Sequence, residues 1–333
     1  AGRGKLISDA MERQWAIVKE YDRRPQPLAT TTLWMEGAQL NRDGHLRFPP
    51  GLTVVFADNG PGWKWEDDFF RTAREPGRLY GVYQHHQYWS AGPHLAQGVS
   101  PELAWRQIKL SRDKGDRHYV MLNVGNIREF VLGLAASAKM LRDFESFDPE
   151  AFLDGWTKEK YGAASAKAAL AYRTYFAAYE VPADRGTPVL LDGQSIGSAK
   201  RLARRLAARA AGVSQVELET PERLAALRKS ASGQAERFDA AVRLAEEARK
   251  GLTGEASEMI ENNLIVQARI MRGLSRTVAA LCDGMNGVGA AREAMRDVRA
   301  AMDLASRGKW QGWYYGDRKM NVRELEGMLD ELQ

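Results

Sequence analysis

Two runs of β-branched and apolar residues stop abruptly in a carboxylate with glycine close behind: Leu33-Trp34-Met35-Glu36-Gly37 and Thr53-Val54-Val55-Phe56-Ala57-Asp58-Asn59-Gly60. A third run, Val82-Tyr83-Gln84-His85-His86-Gln87-Tyr88-Trp89, ends in paired histidines and aromatic rings. Helical patterns separate these runs, and strand–helix–strand alternation constrains a chain to parallel pairing, because parallel neighbours need a crossover between them. Strands are predicted over 29–35, 52–57, 79–84 and 118–124, with helices over 7–21, 101–114 and 130–144. The third strand-like run is followed by Ser100-Pro101-Glu102, a helix start with serine as cap, proline in the first turn and an early glutamate. Carboxylates, imidazoles and aromatic rings delivered from the C-terminal ends of successive parallel strands are the equipment of a sugar-cleaving site at the mouth of a β/α barrel.

The pattern changes near residue 150. Seven of the nine tryptophans have passed by Trp156, and all five histidines lie before residue 120. Beyond it, alanine, leucine, arginine and glutamate recur at helical spacing, predicting helices over 164–179, 195–211, 221–250, 255–281 and 289–306. Thr220-Pro221-Glu222 is a second capped start, and glycines 212, 251, 254, 284 and 287 fall where helices should stop. The expected fold class is therefore α/β plus all-α, part of a TIM-type barrel followed by a helical bundle. Its expected domains are 1–148 for the barrel portion, 149–308 for the bundle, and 309–333 for an aromatic segment with a C-terminal helix. A closed barrel needs eight strands and only about four are predicted. Either the domain is a smaller α/β layer or the chain is part of a longer protein.

Composition narrows the function classes. With 44% hydrophobic and 27% charged residues the 333-residue chain reads as globular. The net charge of +5 sits largely on helix faces such as Lys200-Arg201-Leu202-Ala203-Arg204-Arg205, the usual solvated side of a helix. No nucleic-acid module accompanies it, so no nucleic-acid partner is expected, whereas an acidic sugar fits the sign. Cys282 is the single cysteine, which excludes an intrachain disulfide and a cysteine metal cluster. No run approaches the ~20 apolar residues of a membrane helix, so no membrane partner is expected. The chain begins Ala1-Gly2-Arg3-Gly4, without methionine or an apolar leader, as a processed or truncated protein would. A serine elbow Gly-x-Ser-x-Gly and a strand-following Gly-x-Gly-x-x-Gly with its acidic partner are both lacking. No cofactor is expected.

Glu36 and Asp58 are the catalytic candidates, as strand-end carboxylates; the plainer alternatives are a solvated loop glutamate and an Asx-turn aspartate. Trp34, Trp63, Tyr88 and Trp89 would form walls, and Asn59 lies in the turn after Asp58. His85, His86 and His94 would hydrogen-bond hydroxyls or a carboxylate. Neighbouring residues of a strand face opposite ways, so His85 and His86 are not expected to share a metal, and one of them is expected to be structural. Asn123, Asn126 and Arg128 would sit on the same rim, Arg128 offering a fork to a substrate carboxylate. The cluster Lys309-Trp310-Gln311-Gly312-Trp313-Tyr314-Tyr315-Gly316-Asp317 is either core packing or a lid.

These segments, in this order, resemble glycoside hydrolase family 115, the α-glucuronidases of glucuronoxylan. The matching stretches are Gly51–Asp58, Gly81–Trp89, Gly92-Pro93-His94 and Leu122-Asn123-Val124-Gly125-Asn126-Ile127, with Trp156 and Tyr161-Gly162 at the start of the helical part. The resemblance implies a (β/α)8 barrel followed by a bundle, and an inverting, metal-independent hydrolysis releasing (4-O-methyl)glucuronic acid. In such a mechanism two carboxyl groups stand ~6.5–9.5 Å apart. This chain would hold the second half of the barrel, so the expected partners are a carbohydrate substrate and either the missing half or a second copy. A periplasmic or secreted location accompanies that chemistry. The family usually carries two aspartates where this chain has Asp58-Asn59, and an aspartate where it has Asn126. Those departures leave two expectations open: a hydrolase of shifted specificity, or a carbohydrate-binding or scaffold protein of the same fold that has lost turnover.

Overall fold

The run Thr53–Ala57, apolar after its first residue, is buried at every position and forms a central strand of a parallel sheet in the computed structural model, which describes residues 2–213 and 219–332. Contacts divide the chain into two units, Ala1–His86 with Glu102–Val124, and Gln87–Pro101 with Gly125–Gln333. The expected boundary near residue 148 follows composition, whereas this one follows contacts and assigns 87–101 and 125–148 to the helical unit. Among the described residues no helix is long and apolar enough to cross a membrane.

The first unit runs α1 (Gly2–Tyr21), β1 (Thr30–Leu33), α2 (Glu36–Arg42), β2 (Thr53–Ala57), α3 (Asp67–Arg71), β3 (Tyr80–His85), α4 (Pro101–Asp113) and β4 (Tyr119–Asn123). The four strands are parallel and lie in chain order. Register aligns Leu33, Phe56, Val82 and Val120 across the sheet, and one residue further on Ala57, Tyr83 and Met121, followed by His85 opposite Asn123. Alternation therefore puts the first set on one face and the second on the other. Behind the first face Phe56 packs on Phe69 and Tyr80, and the Arg74 guanidinium lies 4.1 Å from the Phe56 ring centre. Arg74 is held there by a fork to the buried Asp116, at 2.7 and 2.6 Å, and by the carbonyls of Phe69 and Thr72. A half-buried guanidinium is tolerated because its N–H groups are met.

Two expectations are corrected here. The first strand ends at Leu33, not Met35, because Met35 adopts φ 46° and turns the chain directly into α2. The expected helix over 255–281 is three segments: α10 (Gly254–Ile260 in the full order), a π-helical turn Glu261–Ile265, and α11 (Val266–Leu281). The wide turn leaves carbonyls aside from the regular ladder. Asn262 O accepts from Gln267 Nε2 at 3.2 Å and Asn263 O from Gln97 Nε2 at 2.9 Å.

The second unit also contains α5 (Val131–Arg142), α6 (Pro149–Tyr161), α7 (Ser165–Ala177), α8 (Asp192–Ala210), α9 (Pro221–Arg249), α12 (Val288–Leu304) and α13 (Val322–Asp330). The proline starts of α6 and α9 are capped by Asp148 and Thr220, whose side chains accept from the backbone three residues on. Its largest core joins Ile196 and Leu202 of α8, Ile270 and Leu274 of α11, Met295 and Val298 of α12, and Leu325 of α13. A second cluster sets Tyr175 and Tyr179 edge to face against Phe238, with both hydroxyls donating to Gln97 O at 2.7 and 2.8 Å. Cys282 follows α11, half-buried, and burial pushes its thiol up to about 11.

Two buried groups of the first unit titrate in opposite senses. Burial pushes Asp68, one of whose oxygens has no hydrogen-bond partner among the described residues, up to about 6. Burial, reinforced by neighbouring His85, pushes His86 down to about 4. Folded Asp68 keeps a proton that the unfolded chain loses near pH 4, so its contribution to stability falls as pH rises from about 4 to 6. Folded His86 refuses a proton that the unfolded chain takes below about pH 6.5, so its contribution falls as pH drops from there to about 4. D68N should raise the melting temperature at pH 7 far more than at pH 4, and H86Q should flatten the acid-side loss. Each effect should be on the order of 1–2 kcal/mol. Thermal melts followed by circular dichroism from pH 4 to 7 measure this, and variant curves parallel to the parent would contradict it. Gly81 tests the sheet: a Cβ there would lie 2.3 Å from Tyr119 O. G81A should therefore push β3 from β4 and lower stability by ~1–3 kcal/mol in denaturant titrations.

Candidate functional site

Asp58 is wholly buried at the end of β2, with three hydrogen bonds on its two oxygens. Oδ1 accepts the Gly60 N–H at 2.8 Å, closing the turn, and lies 2.8 Å from His85 Nδ1; Oδ2 accepts the His85 N–H at 2.6 Å. A carboxylate at that distance assigns the proton of the neutral ring to Nδ1, which makes Nε2 its acceptor nitrogen. The His85 ring is flanked by Tyr83, 4.4 Å away between ring centres, and Trp34, 4.8 Å away just beyond β1. Tyr83 and His85 share a face because they are two residues apart on one strand. Asn123, opposite His85 on β4, donates from Nδ2 to the Tyr83 hydroxyl. The strand ends thus assemble Trp34, Asp58, Tyr83, His85 and Asn123.

Other expected members lie elsewhere. Glu36 occupies the first turn of α2, mostly exposed, and pairs with Arg3 of α1. It lines a surface cavity of about 490 Å³ with Glu66, Asp67 and Asp68, a lining that does not include Asp58. Asn59 serves its own loop: its N–H donates to Lys64 O at 2.9 Å, and its side chain accepts from the Lys64 N–H at 3.4 Å. Trp63 is half-buried, its carbonyl accepting from Gln107 Nε2, while Trp65 is core, stacked on Phe69. His86 is enclosed and stays neutral above about pH 4.

The second unit has its own polar cluster. Gln87 Oε1 accepts the N–H groups of Gly125 and of Asn126, the latter at 2.9 Å. That fixes the amide, so its Nε2 faces His94, 3.3 Å from Nδ1. A donor at Nδ1 leaves the ring proton on Nε2, which points to Asp317 Oδ1 at 3.2 Å. Burial opposes charging His94, but the Asp317 hydrogen bond and the charges of Asp192, Asp317 and Glu129 outweigh it and raise its pKa. The loop carrying His94 is gripped by buried Asp192 at the start of α8, which accepts from the N–H groups of His94, Leu95 and Ala96. Gly92, at φ 90°, passes so close that a Cβ would lie 2.0 Å from Asp192 Oδ1. Tyr88 closes the loop through its N–H to Pro93 O, and Trp89 is half-exposed with Lys319 Nζ 3.6 Å over its ring. Arg128 is buried beside Glu129, its Nε 3.5 Å from Glu129 Oε1. Trp313 Nε1 donates to that same oxygen at 2.8 Å. Burial raises the Glu129 pKa against the pull of Arg128 and Trp313.

Sequence reasoning missed Tyr83, Glu129, Asp192 and Asp317 as site components. Tyr83 had a signal, its period-two relation to His85. Asp192 and Asp317 had none, standing 98 and 223 residues from His94 in hydrogen bonds no local pattern encodes. Among the described residues no group of three or more His, Cys, Asp or Glu is arranged to hold a metal ion.

The model of glycosyl hydrolase family 115 matches residues 1–183, more than half of the chain. The search of curated proteins returns no match. Among solved structures, the whole chain superposes on 42% of a family GH115 4-O-methyl-α-glucuronidase with specificity for decorated arabinogalactans, at TM-score 0.60 and 14% identity, a likeness of fold. A GH138 enzyme targeting pectin rhamnogalacturonan II aligns over 86% of this chain and 40% of its own, at TM-score 0.46 and 10% identity. The chain thus spans less than half the length of either structure. By the match over its first 183 residues, this chain belongs to glycoside hydrolase family 115.

Proposed function

We propose that the chain is part of a glycoside hydrolase acting on a glucuronic-acid-decorated polysaccharide, with its four parallel strands forming half of an eight-stranded β/α barrel. The observation that carries this reading is the family match, which spans β1 to β4 and with them Trp34, Asp58, Tyr83, His85 and Asn123. The barrel assignment is supported by the strand order. Sequential parallel neighbours are what a singly wound barrel requires, and β1 and β4, each paired on one side, are the less buried strands.

In this reading Asp58 does not touch the sugar. It holds His85 in one tautomer, and His85 exchanges a proton through Nε2 while Trp34 and Tyr83 supply apolar wall. With Asp58 enclosed, a covalent route through its carboxylate is closed. Direct attack by water, with inversion, is the course the site supports. A second reading, a saccharide-binding protein without turnover, is favoured by one observation: Asp58 is enclosed and Glu36 is tied to Arg3, so the two carboxylates do not form an acid–base pair.

Incubation of the chain with aldouronic acids and with glucuronic-acid-decorated arabinogalactan, followed by chromatography and proton NMR of the sugar released, separates the readings. The hydrolase reading expects glucuronic acid in the inverted anomeric form. Binding in calorimetry without release would select the second. If turnover is present, D58N should lower it by about 10²-fold or more through loss of the His85 tautomer, with the fold retained. Near-parental turnover in D58N would remove the pair from the mechanism.

A further inference from the structure

A second cavity of about 490 Å³ opens in the first unit, at the end of the sheet opposite Asp58. Tyr80, the first residue of β3, lines it, whereas His85 closes that strand ~16 Å further along, at ~3.3 Å per residue. Four arginines line it, Arg42, Arg47, Arg71 and Arg78, against two glutamates, Glu12 and Glu75. The frame around them is fixed. The loop that carries Arg47 is clamped to α1, where Ser8 Oγ accepts the Arg47 N–H at 2.9 Å and Trp15 Nε1 donates to Pro50 O at 2.8 Å. Arg78 donates from Nε to Glu75 Oε2 at 2.8 Å, and from Nη1 to the carbonyls of Phe48 and Pro49, both at 3.3 Å. The Tyr80 hydroxyl holds the same turn by accepting the Glu75 N–H at 3.0 Å.

Two guanidiniums in this frame are left with donors to spare. Arg47 is 69% exposed and meets Asp9 only at 3.7 Å, and Arg71 has no hydrogen bond or ion pair among the described residues. Arg42 is taken up by Asp43 at 2.9 Å. Arg42 and Arg71 end α2 and α3, where a cation offsets the carbonyl end of a helix, but Arg47 and Arg78 come from loops and serve no helix end. Like charges gathered on one cavity repel each other until an anion is shared among them. The guanidinium fork matches the oxygens of a phosphate, and the lining's excess of two positive charges matches a phosphate monoester, which carries about −1.5 to −2 at pH 7. The volume lies in the range of small-ligand sites and leaves room for an organic part. We propose that this cavity binds a small phosphate ester, its phosphate oxygens on Arg47 and Arg71, with Arg42 and Arg78 adding to the positive field. Every lining residue belongs to the first unit, and the proposal does not rest on the hydrolase reading.

Titration calorimetry of the full 333-residue chain in phosphate-free buffer, with glucose 6-phosphate, inorganic phosphate and glucose as probes, tests it on the parent, R47Q, R71Q and R106Q. Arg106 is exposed on α4 outside the cavity, so R106Q removes the same charge from elsewhere on the first unit. Arg47 and Arg71 are exposed as well, and circular dichroism checks that each variant folds. Glucose 6-phosphate should bind the parent, about tenfold or more weakly to R47Q and to R71Q, and within about twofold of the parent to R106Q, while glucose should not bind. Equal weakening in R106Q would reduce the effect to net charge and overturn the site, as would absence of binding by the parent. Glucose binding as tightly as its phosphate would overturn the phosphate assignment. Inorganic phosphate binding as tightly as the ester would overturn the ester and leave a site for the free ion.

Discussion

The buried carboxylate of Asp58 is the constraint on which the strand ends depend. A charge with no solvent access is tolerable only when its oxygens are fully engaged. Here the partners are a turn N–H two residues away and both a backbone N–H and a ring nitrogen 27 residues away. One side chain therefore sets the turn after β2, the final register of β3 and the orientation of the His85 imidazole. Tyr83 and Trp34 then pack against a ring that has no freedom left.

Asp192 does the same work in the helical unit. It gathers three successive backbone N–H groups from the loop after the paired histidines, and Gly92 is needed because no Cβ fits against it. Both acids pin irregular backbone that would otherwise carry unmet donors. This is also why an acid at a strand end is ambiguous. The chemistry-bearing group can be the residue that the acid holds rather than the acid itself, which is the role proposed for His85 beside Asp58.

Much of the architecture was legible because it is written locally. The β-branched runs predicted the four strands to within two residues at each end, and the proline starts at 149 and 221 are capped helices. Belonging to the family was legible in the stretches around Asp58, His85 and Asn123. What escaped was non-local or contrary to local preference. Met35 turns at positive φ with no glycine to announce it, so Glu36 reads as a loop carboxylate when it opens a helix. The π-turn is hidden because a single extra residue barely disturbs a 3.6 period. Residues 87–101 are held to the helical unit by Asp192 and by Gln97, whose partners Tyr175, Tyr179, Asn263 and Gln267 all lie more than 75 residues on. No window along the chain contains both ends of such bonds.

The strand order has a kinetic meaning as well. In a sheet whose spatial order equals its chain order, each strand finds its template already formed when it emerges from the ribosome, one crossover behind. Loop closure then costs only the entropy of one crossover at each step. The sheet can be laid down from β1 to β4 as synthesis proceeds, with Asp58 held in place only once β3 delivers His85.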